Sequence, residues 1–232
     1  GRGRRIMPSE VPSRANIYAL KSLGVGHIIA TNSVGSLKEK IKRGDLVIPD
    51  QLIDRTKSRI NTFFGEGIVA HIQFAQPFCP SLRQILYQVA NEAGASVHPK
   101  GTYVVMEGPA FSTIAESQLH RSWGADVIGM TALPEAKLAR EAEICYATIA
   151  CATDYDVWHK TEEPVGVEII LETMRRQEEL CKQIIKLSVA RIPDRRDCQC
   201  ATALQGAIVT APKAMPAEQR KKLDLLIGRY IS

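Results

Sequence analysis

Two aspartates separated by one tyrosine, Asp154 and Asp156, follow an apolar run from Tyr146 to Ala152. The run is short, β-branched and alanine-rich and is bounded by charge, the pattern of an interior strand in a parallel sheet. Residues two apart on a strand point the same way, so the carboxylates are expected to converge while Tyr155 points elsewhere. Converging acids call for a cationic or hydrogen-rich partner. Two close carboxyls cannot both ionise cheaply, so one should hold a proton at neutral pH, and the titration belongs to the pair. The plainer alternative is that the acids cap a following helix or pair with an arginine.

Three other stretches carry groups of the same kind: Thr31, Asn32 and Ser33 before Gly35, "EGPAFST" from Glu107 with Phe111 inside it, and "GMT" from Gly129 to Thr131 with Met130 at its centre. Together they supply hydroxyl donors for an anion, an aromatic face, a thioether and paired carboxylates. That inventory suits an aromatic nitrogen base attached to something polar. Taken singly, Phe111 and Met130 read as core residues, and Ser33 or Thr131 as helix caps. Their joint placement at strand ends favours the functional reading, because ligands of open α/β sheets bind beyond the carboxyl ends of the strands.

The elements that must position these residues alternate. "PSRANIYALKSLG" reads as a helix with Ile17, Leu20 and Leu23 on its apolar face and Gly24 ending it. Strands are expected at "HIIATNSV" and, as one piece, at "DLVIPDQLID". "PSLRQILYQVANEAG" is the clearest helix, with proline near its start and glycine past its end. Then follow strand "TYVVMEG", a helix around "IAESQLHRSWG", strand "DVIGM", helix "LPEAKLAREAE" and the strand ending at the two aspartates. Helices "GVEIILETMRRQEELCKQIIKLSV" and "AEQRKKLDLLIGRY" close the chain. The expected fold is one α/β domain over residues 1–232, a mixed, mostly parallel twisted sheet flanked by helices.

At 232 residues and 45% hydrophobic content the chain can bury one sizeable core. A net charge of +5 with dispersed basic residues argues against nucleic-acid binding. No apolar run is long enough for a membrane span and no signal-peptide pattern appears, so the expected location is the cytoplasm. The spacing of the six cysteines and five histidines offers no metal quartet. Cys198 and Cys200 form a C-x-C pair in a polar loop that could cross-link under oxidation but reads more readily as two reduced thiols, and Cys79, Cys145, Cys151 and Cys181 read as core filler.

The stretches "IMPSE", "RANIYALKSLG", "GDLVIPDQLIDRT", "MEGPAFST", "GADVIGMTALPEAKLAREAEICYA" and "TDYDVWH" resemble the 5'-methylthioadenosine phosphorylases of the purine nucleoside phosphorylase superfamily, over nearly the whole chain. The resemblance implies phosphorolysis of 5'-methylthioadenosine to adenine and 5-methylthioribose 1-phosphate, a purine and methionine salvage step. It implies inorganic phosphate as co-substrate, no cofactor, and a homotrimer. By position it makes Asp154 and Asp156 the catalytic, purine-reading acids, Phe111 the base-stacking ring and Met130 the floor under the ribose. Val167, Ile170 and Leu171 become the apolar wall for the methylthio group, Asn32, Ser33 and Thr131 the phosphate contacts, and His71 a residue lent across a subunit contact. In sister enzymes acting on 6-oxopurines an asparagine stands at the first aspartate. The sequence begins at Gly1 without the opening strand and Gly-Gly-Thr-Gly phosphate turn of that family, and Ile114 replaces an arginine. The chain as given is therefore expected to bind nucleoside better than it turns it over. Another purine nucleoside phosphorylase and a noncatalytic nucleoside-binding protein are the alternatives.

Overall fold

In the computed structural model, which describes residues 5–159 and 167–231, the elements are α1 (Ser13–Ser22), β1 (His27–Ser36), β2 (Leu46–Val47), β3 (Gln51–Arg55), α2 (Pro80–Glu92), β4 (Val97–His98), β5 (Thr102–Met106), α3 (Ile114–Ser122), β6 (Val127–Gly129), α4 (Glu135–Glu141), β7 (Cys145–Asp154), α5 (Val167–Val189), α6 (Ala217–Lys222) and α7 (Asp224–Ile231). The seven strands form one sheet in the order β3-β5-β6-β1-β7-β2-β4. Ladders β1·β7, β2·β4, β3·β5 and β5·β6 are parallel; β1·β6 and β2·β7 are antiparallel. The mostly parallel α/β fold expected from the alternation is the one observed.

Strand β7 organises the core. Every one of its ten residues is buried, and its side chains divide by parity: Tyr146, Ala150 and Ala152 enter one hydrophobic cluster, while Cys145, Ala147, Ile149 and Cys151 enter another. The first cluster contains Ile17 of α1, Leu138 of α4 and Leu226 and Ile227 of α7. The second contains Leu82, Leu86 and Val89 of α2 and Ile184 of α5. Helix α2 keeps its apolar stripe because Leu82, Leu86, Val89 and Ala90 recur at helical spacing. Pro80 starts it, and Gly94, at φ +77°, ends it where a side chain would be strained.

Several expectations need correction. "DLVIPDQLID" is two strands rather than one, because Pro49 cannot donate to a ladder and the chain turns there from β2 to β3, on the other side of the sheet. The final helix is two helices broken at Leu223, a bend that buries Leu223 together with Leu226, Ile227 and Ile231. The two-residue β4 was not foreseen. The start of the long helix expected from Gly166 lies outside the described residues; its helix is described from Val167. Strand β1 runs on to Ser36, so Thr31, Asn32 and Ser33 lie inside it rather than at its end. Lastly, four of the six cysteines, expected from their spacing to offer no metal quartet, come together. The Sγ atoms of Cys79, Cys145, Cys198 and Cys200 all lie within 4.8 Å of one another. Among the described residues no helix is long and apolar enough to cross a membrane.

Candidate active site

The acids lie where the sheet becomes irregular. In the β1·β7 ladder Val34 faces Ala152, but Gly35 faces Asp154, so Thr153 is an extra residue that re-aims the end of the strand. Asp156 then takes φ +53°, a left-handed conformation that short polar side chains tolerate better than most. This turn brings its N–H to Asp154 Oδ1 at 2.9 Å, while the Thr153 hydroxyl donates to Asp154 Oδ2 at 2.8 Å. Strand alternation therefore does not bring the acids together, as the sequence reading supposed; a bulge and a tight turn do. Gly35 makes room for them, since a Cβ there would come within 2.9 Å of Asp154 Oδ1.

Both carboxyls are 7% exposed, and among the described residues neither forms an ion pair with an arginine, lysine or histidine. Burial raises both pKa values above the ordinary aspartate value, and it is the largest cause for each. Thr153 and the Asp156 N–H pull Asp154 part of the way back, and the charge of Asp156 pushes it up further. For Asp156 the opposing groups are the hydroxyls of Ser117 and Ser112. Even so, Asp156 Oδ2 is buried without a well-aligned hydrogen bond among the described residues. A buried acceptor left this way is costly unless a ligand satisfies it.

Asp154 and Asp156 line a cavity of ≈ 360 Å³. Asn32, Ser33, Phe111, Met130, Thr131 and Ile170 line it as well, so eight of the eleven residues singled out in the sequence share one space. Phe111, 40% exposed, presents an aromatic ring to the cavity instead of filling the core. Asn32 is tied on both sides: its Nδ2 donates to Thr131 Oγ1 and its Oδ1 accepts from Thr148 Oγ1. The amide thus links β1, β7 and the loop after β6. On its other edge β1 pairs with β6 only at Gly35 and Ser36, leaving the edge at Thr31–Ser33 without a strand partner among the described residues.

Three singled-out residues lie elsewhere. Leu171 lines an adjoining cavity of ≈ 300 Å³ that shares Thr31, Asn32, Ser33 and Met174 with the first. Val167 is 60% exposed and lines neither. His71 faces a separate hollow with Gln73, Arg140 and Gln205.

Sequence reasoning missed two contributors. Met174 lines both cavities and stands one helical turn beyond Ile170, a spacing that could have revealed it. Arg59 gave no local signal. Its buried guanidinium donates to the carbonyls of Met130, Leu133 (2.6 Å), Met106 and Glu107 (2.6 Å), clamping together the loops that carry Phe111 and Thr131. The Phe111 loop is fixed at its far end by a capping box, with Thr113 Oγ1 accepting from Glu116 N and Glu116 accepting from Thr113 N. The cavity is therefore shaped by held loops, and its lining combines hydroxyls, a thioether, an aromatic ring and two carboxyls whose pKa values burial raises.

Known proteins resemble this chain in both sequence and fold. The sequence model of the phosphorylase superfamily matches residues 3–190. An S-methyl-5'-thioadenosine phosphorylase of Geobacter sulfurreducens is 57% identical over 232 residues, covering 100% of this chain and 81% of the relative. Among solved structures, a methylthioadenosine phosphorylase from an antarctic soil metagenomic library superposes with a TM-score of 0.92 at 49% identity, covering 97% of this chain and 80% of that one. The methylthioadenosine phosphorylase of Schistosoma mansoni in complex with adenine gives 0.86 at 38% identity, covering 90% and 82%.

Proposed function

Because this chain belongs to the phosphorylase superfamily, we propose that it is a pentosyltransferase that splits 5'-methylthioadenosine with inorganic phosphate, giving adenine and 5-methylthioribose 1-phosphate. The observation that carries the reading is the pair of buried carboxyls, with pKa values raised by burial, in a cavity also lined by hydroxyls, a thioether and an exposed ring. Relatives at 48–57% identity bear this activity in their names.

The chemistry follows from the charges. Breaking the bond between C1' and the purine leaves a sugar with oxocarbenium character and pushes electrons into the base. A proton delivered to N7 makes adenine the better leaving group. A carboxyl whose pKa burial has raised is suited to hold that proton near neutral pH, and Asp154 takes this role. Asp156, with its unsatisfied Oδ2, accepts the hydrogens of the 6-amino group. A 6-oxopurine would set an acceptor against that acceptor, which favours adenine. Phe111 stacks on the base, Met130 underlies the ribose, and Ile170 with Leu171 offers apolar surface to the methylthio group. Ser33 and Thr131 supply hydroxyls to phosphate, and the open edge of β1 brings backbone donors to the same place. Asn32 holds Thr131 in position as well as facing the cavity. No cofactor is needed for these steps.

The same proposal includes a cytoplasmic homotrimer. His71 lies away from this chain's own cavity, so it can serve a site only across a contact between copies, and Val167 is exposed enough to do likewise. The test of function is adenine release from methylthioadenosine with and without phosphate. Release that requires phosphate and yields the sugar phosphate one for one is the expected result. Release at the same rate without phosphate, or tight nucleoside binding with no release, overturns the assignment. Light scattering checks the assembly, with a trimer mass expected.

A further inference from the structure

We propose that Cys79, Cys145, Cys198 and Cys200 form a tetrathiolate site for a single thiophilic divalent ion of the zinc class, which pins the segment after α5 to the amino end of β7. Four sulfurs from three distant parts of the chain lie within 4.8 Å of one another. A tetrahedral ion with metal–sulfur bonds of about 2.3 Å sets its sulfurs ~3.8 Å apart, a spacing this cluster reaches with small side-chain adjustments. A cage this tight takes one ion and leaves no space for a cluster of several irons. Tetrahedral sulfur coordination with every position supplied by protein is the mark of a structural site rather than a catalytic one.

The ligands are held by rigid elements. Cys79 immediately precedes Pro80 at the start of α2, and Cys145 opens β7. Their backbones are fixed by Cys79 N donating to Tyr146 O at 2.8 Å and Cys145 N donating to Gly26 O at 3.0 Å. Cys198 and Cys200 add a two-ligand loop, with only Cys198 partly exposed, which gives an ion a route in. A disulfide accounts for the geometry less well. Cys145 and Cys198 are 3.3 Å apart at sulfur, against about 2.05 Å for a bond, and one bridge would leave the convergence of the other two thiols unexplained. Four thiolates around a divalent ion leave net negative charge. Arg140, its guanidinium fixed by the carbonyls of Gln73 and Gln76, lies within electrostatic reach of Cys200 and offsets part of it. Binding balances as four thiols each giving a proton to solvent while each sulfur gains a metal bond, with no change of oxidation state.

The experiment purifies the whole protein without chelator under a phosphine reductant, measures bound metals by mass spectrometry, and titrates metal-stripped protein with cobalt(II). About one zinc per chain, or a cobalt spectrum with the ligand-field and sulfur charge-transfer bands of a tetrathiolate, is expected. Cys198→Ser, at the partly exposed ligand, should lose that spectrum while keeping phosphorolysis, which shows the variant is folded. Stripping the metal should lower the melting temperature of the wild type and leave that of Cys198→Ser unmoved. The proposal is overturned if reduced wild type retains no metal and gives no cobalt spectrum, if the spectrum survives in Cys198→Ser, or if alkylation mapping of freshly lysed cells finds any two of these cysteines joined as a disulfide.

Discussion

The two ends of β7 are equally buried and use burial in opposite ways. At the carboxyl end, Thr153 to Asp156 hold carboxyls whose charged forms the surroundings disfavour and a carboxylate oxygen without a well-aligned partner. At the amino end, Cys145 joins three other thiols in a compact cluster that ties a distant segment to the sheet. On the proposed reading the first arrangement costs stability and makes chemistry possible, while the second holds the fold together away from the substrate. Ten strand residues at ~3.3 Å each put roughly 30 Å between them, far enough for changes at one end to act independently of the other.

Breaking the amino end should cost the most stability. Cys145→Ser places a hydroxyl in a wholly buried position and should destabilise by about 1–3 kcal/mol in denaturant unfolding. The activity of the folded fraction should stay within about twofold. A large loss of activity at unchanged stability would mean that the two ends are not independent.

The ends also differ in how visible they were beforehand. Asp154 and Asp156 are near neighbours in the chain, so their proximity needed no fold to be inferred. The mechanism of that proximity did need one: strand alternation was the wrong reason, because a bulged residue and a left-handed φ are set by how β7 meets β1 and Gly35. The strand ends bearing Phe111 and Met130 were legible for the same reason as the acids, each being a short signature after an apolar run. The thiol cluster was not, since Cys79, Cys145 and the pair at 198 and 200 are brought together only by the packing of α2 on β7 and of the segment after α5 against both. Arg59 was hidden too. Its hydrogen bonds go to backbone carbonyls, which leave no mark on side-chain patterns.

At the carboxyl end the next effect concerns the base. Phe111→Ala removes the stacking face and should raise KM for methylthioadenosine about tenfold, in line with ~1–3 kcal/mol per stacked base, with a smaller change in kcat. Steady-state kinetics will show it; an unchanged KM would put the ring outside the base subsite.

The stability consequence of the acids has a definite sign. A carboxyl whose pKa is higher in the folded than in the unfolded state binds more protons when folded. Its presence therefore costs stability as pH rises from the ordinary aspartate range through the raised value, and the full cost applies above it. Asp156→Asn removes that cost and should raise the melting temperature at pH 7–8 by roughly 2–4 °C, the response of a chain this size to ~1 kcal/mol. The gain should fade as pH falls toward the ordinary aspartate range. A variant less stable than wild type at neutral pH would contradict the picture of an unsatisfied buried acid.

Val167→Ser should do least. The residue is 60% exposed, so stability should change by no more than about 0.5 kcal/mol. A selective rise in KM for methylthioadenosine over adenosine, seen only in the oligomer, would place Val167 against the methylthio group across a contact between copies.

The central claim, that the acid turn reads the purine and donates to it, is tested most directly by comparing wild type and Asp154→Asn on methylthioadenosine and methylthioinosine, with phosphate saturating. The account predicts that the substitution lowers turnover of methylthioadenosine by ~10²-fold or more, as loss of a positioned acid should, and shifts relative preference toward the 6-oxopurine. Equal turnover of methylthioadenosine by both proteins, with base preference unchanged, would contradict it.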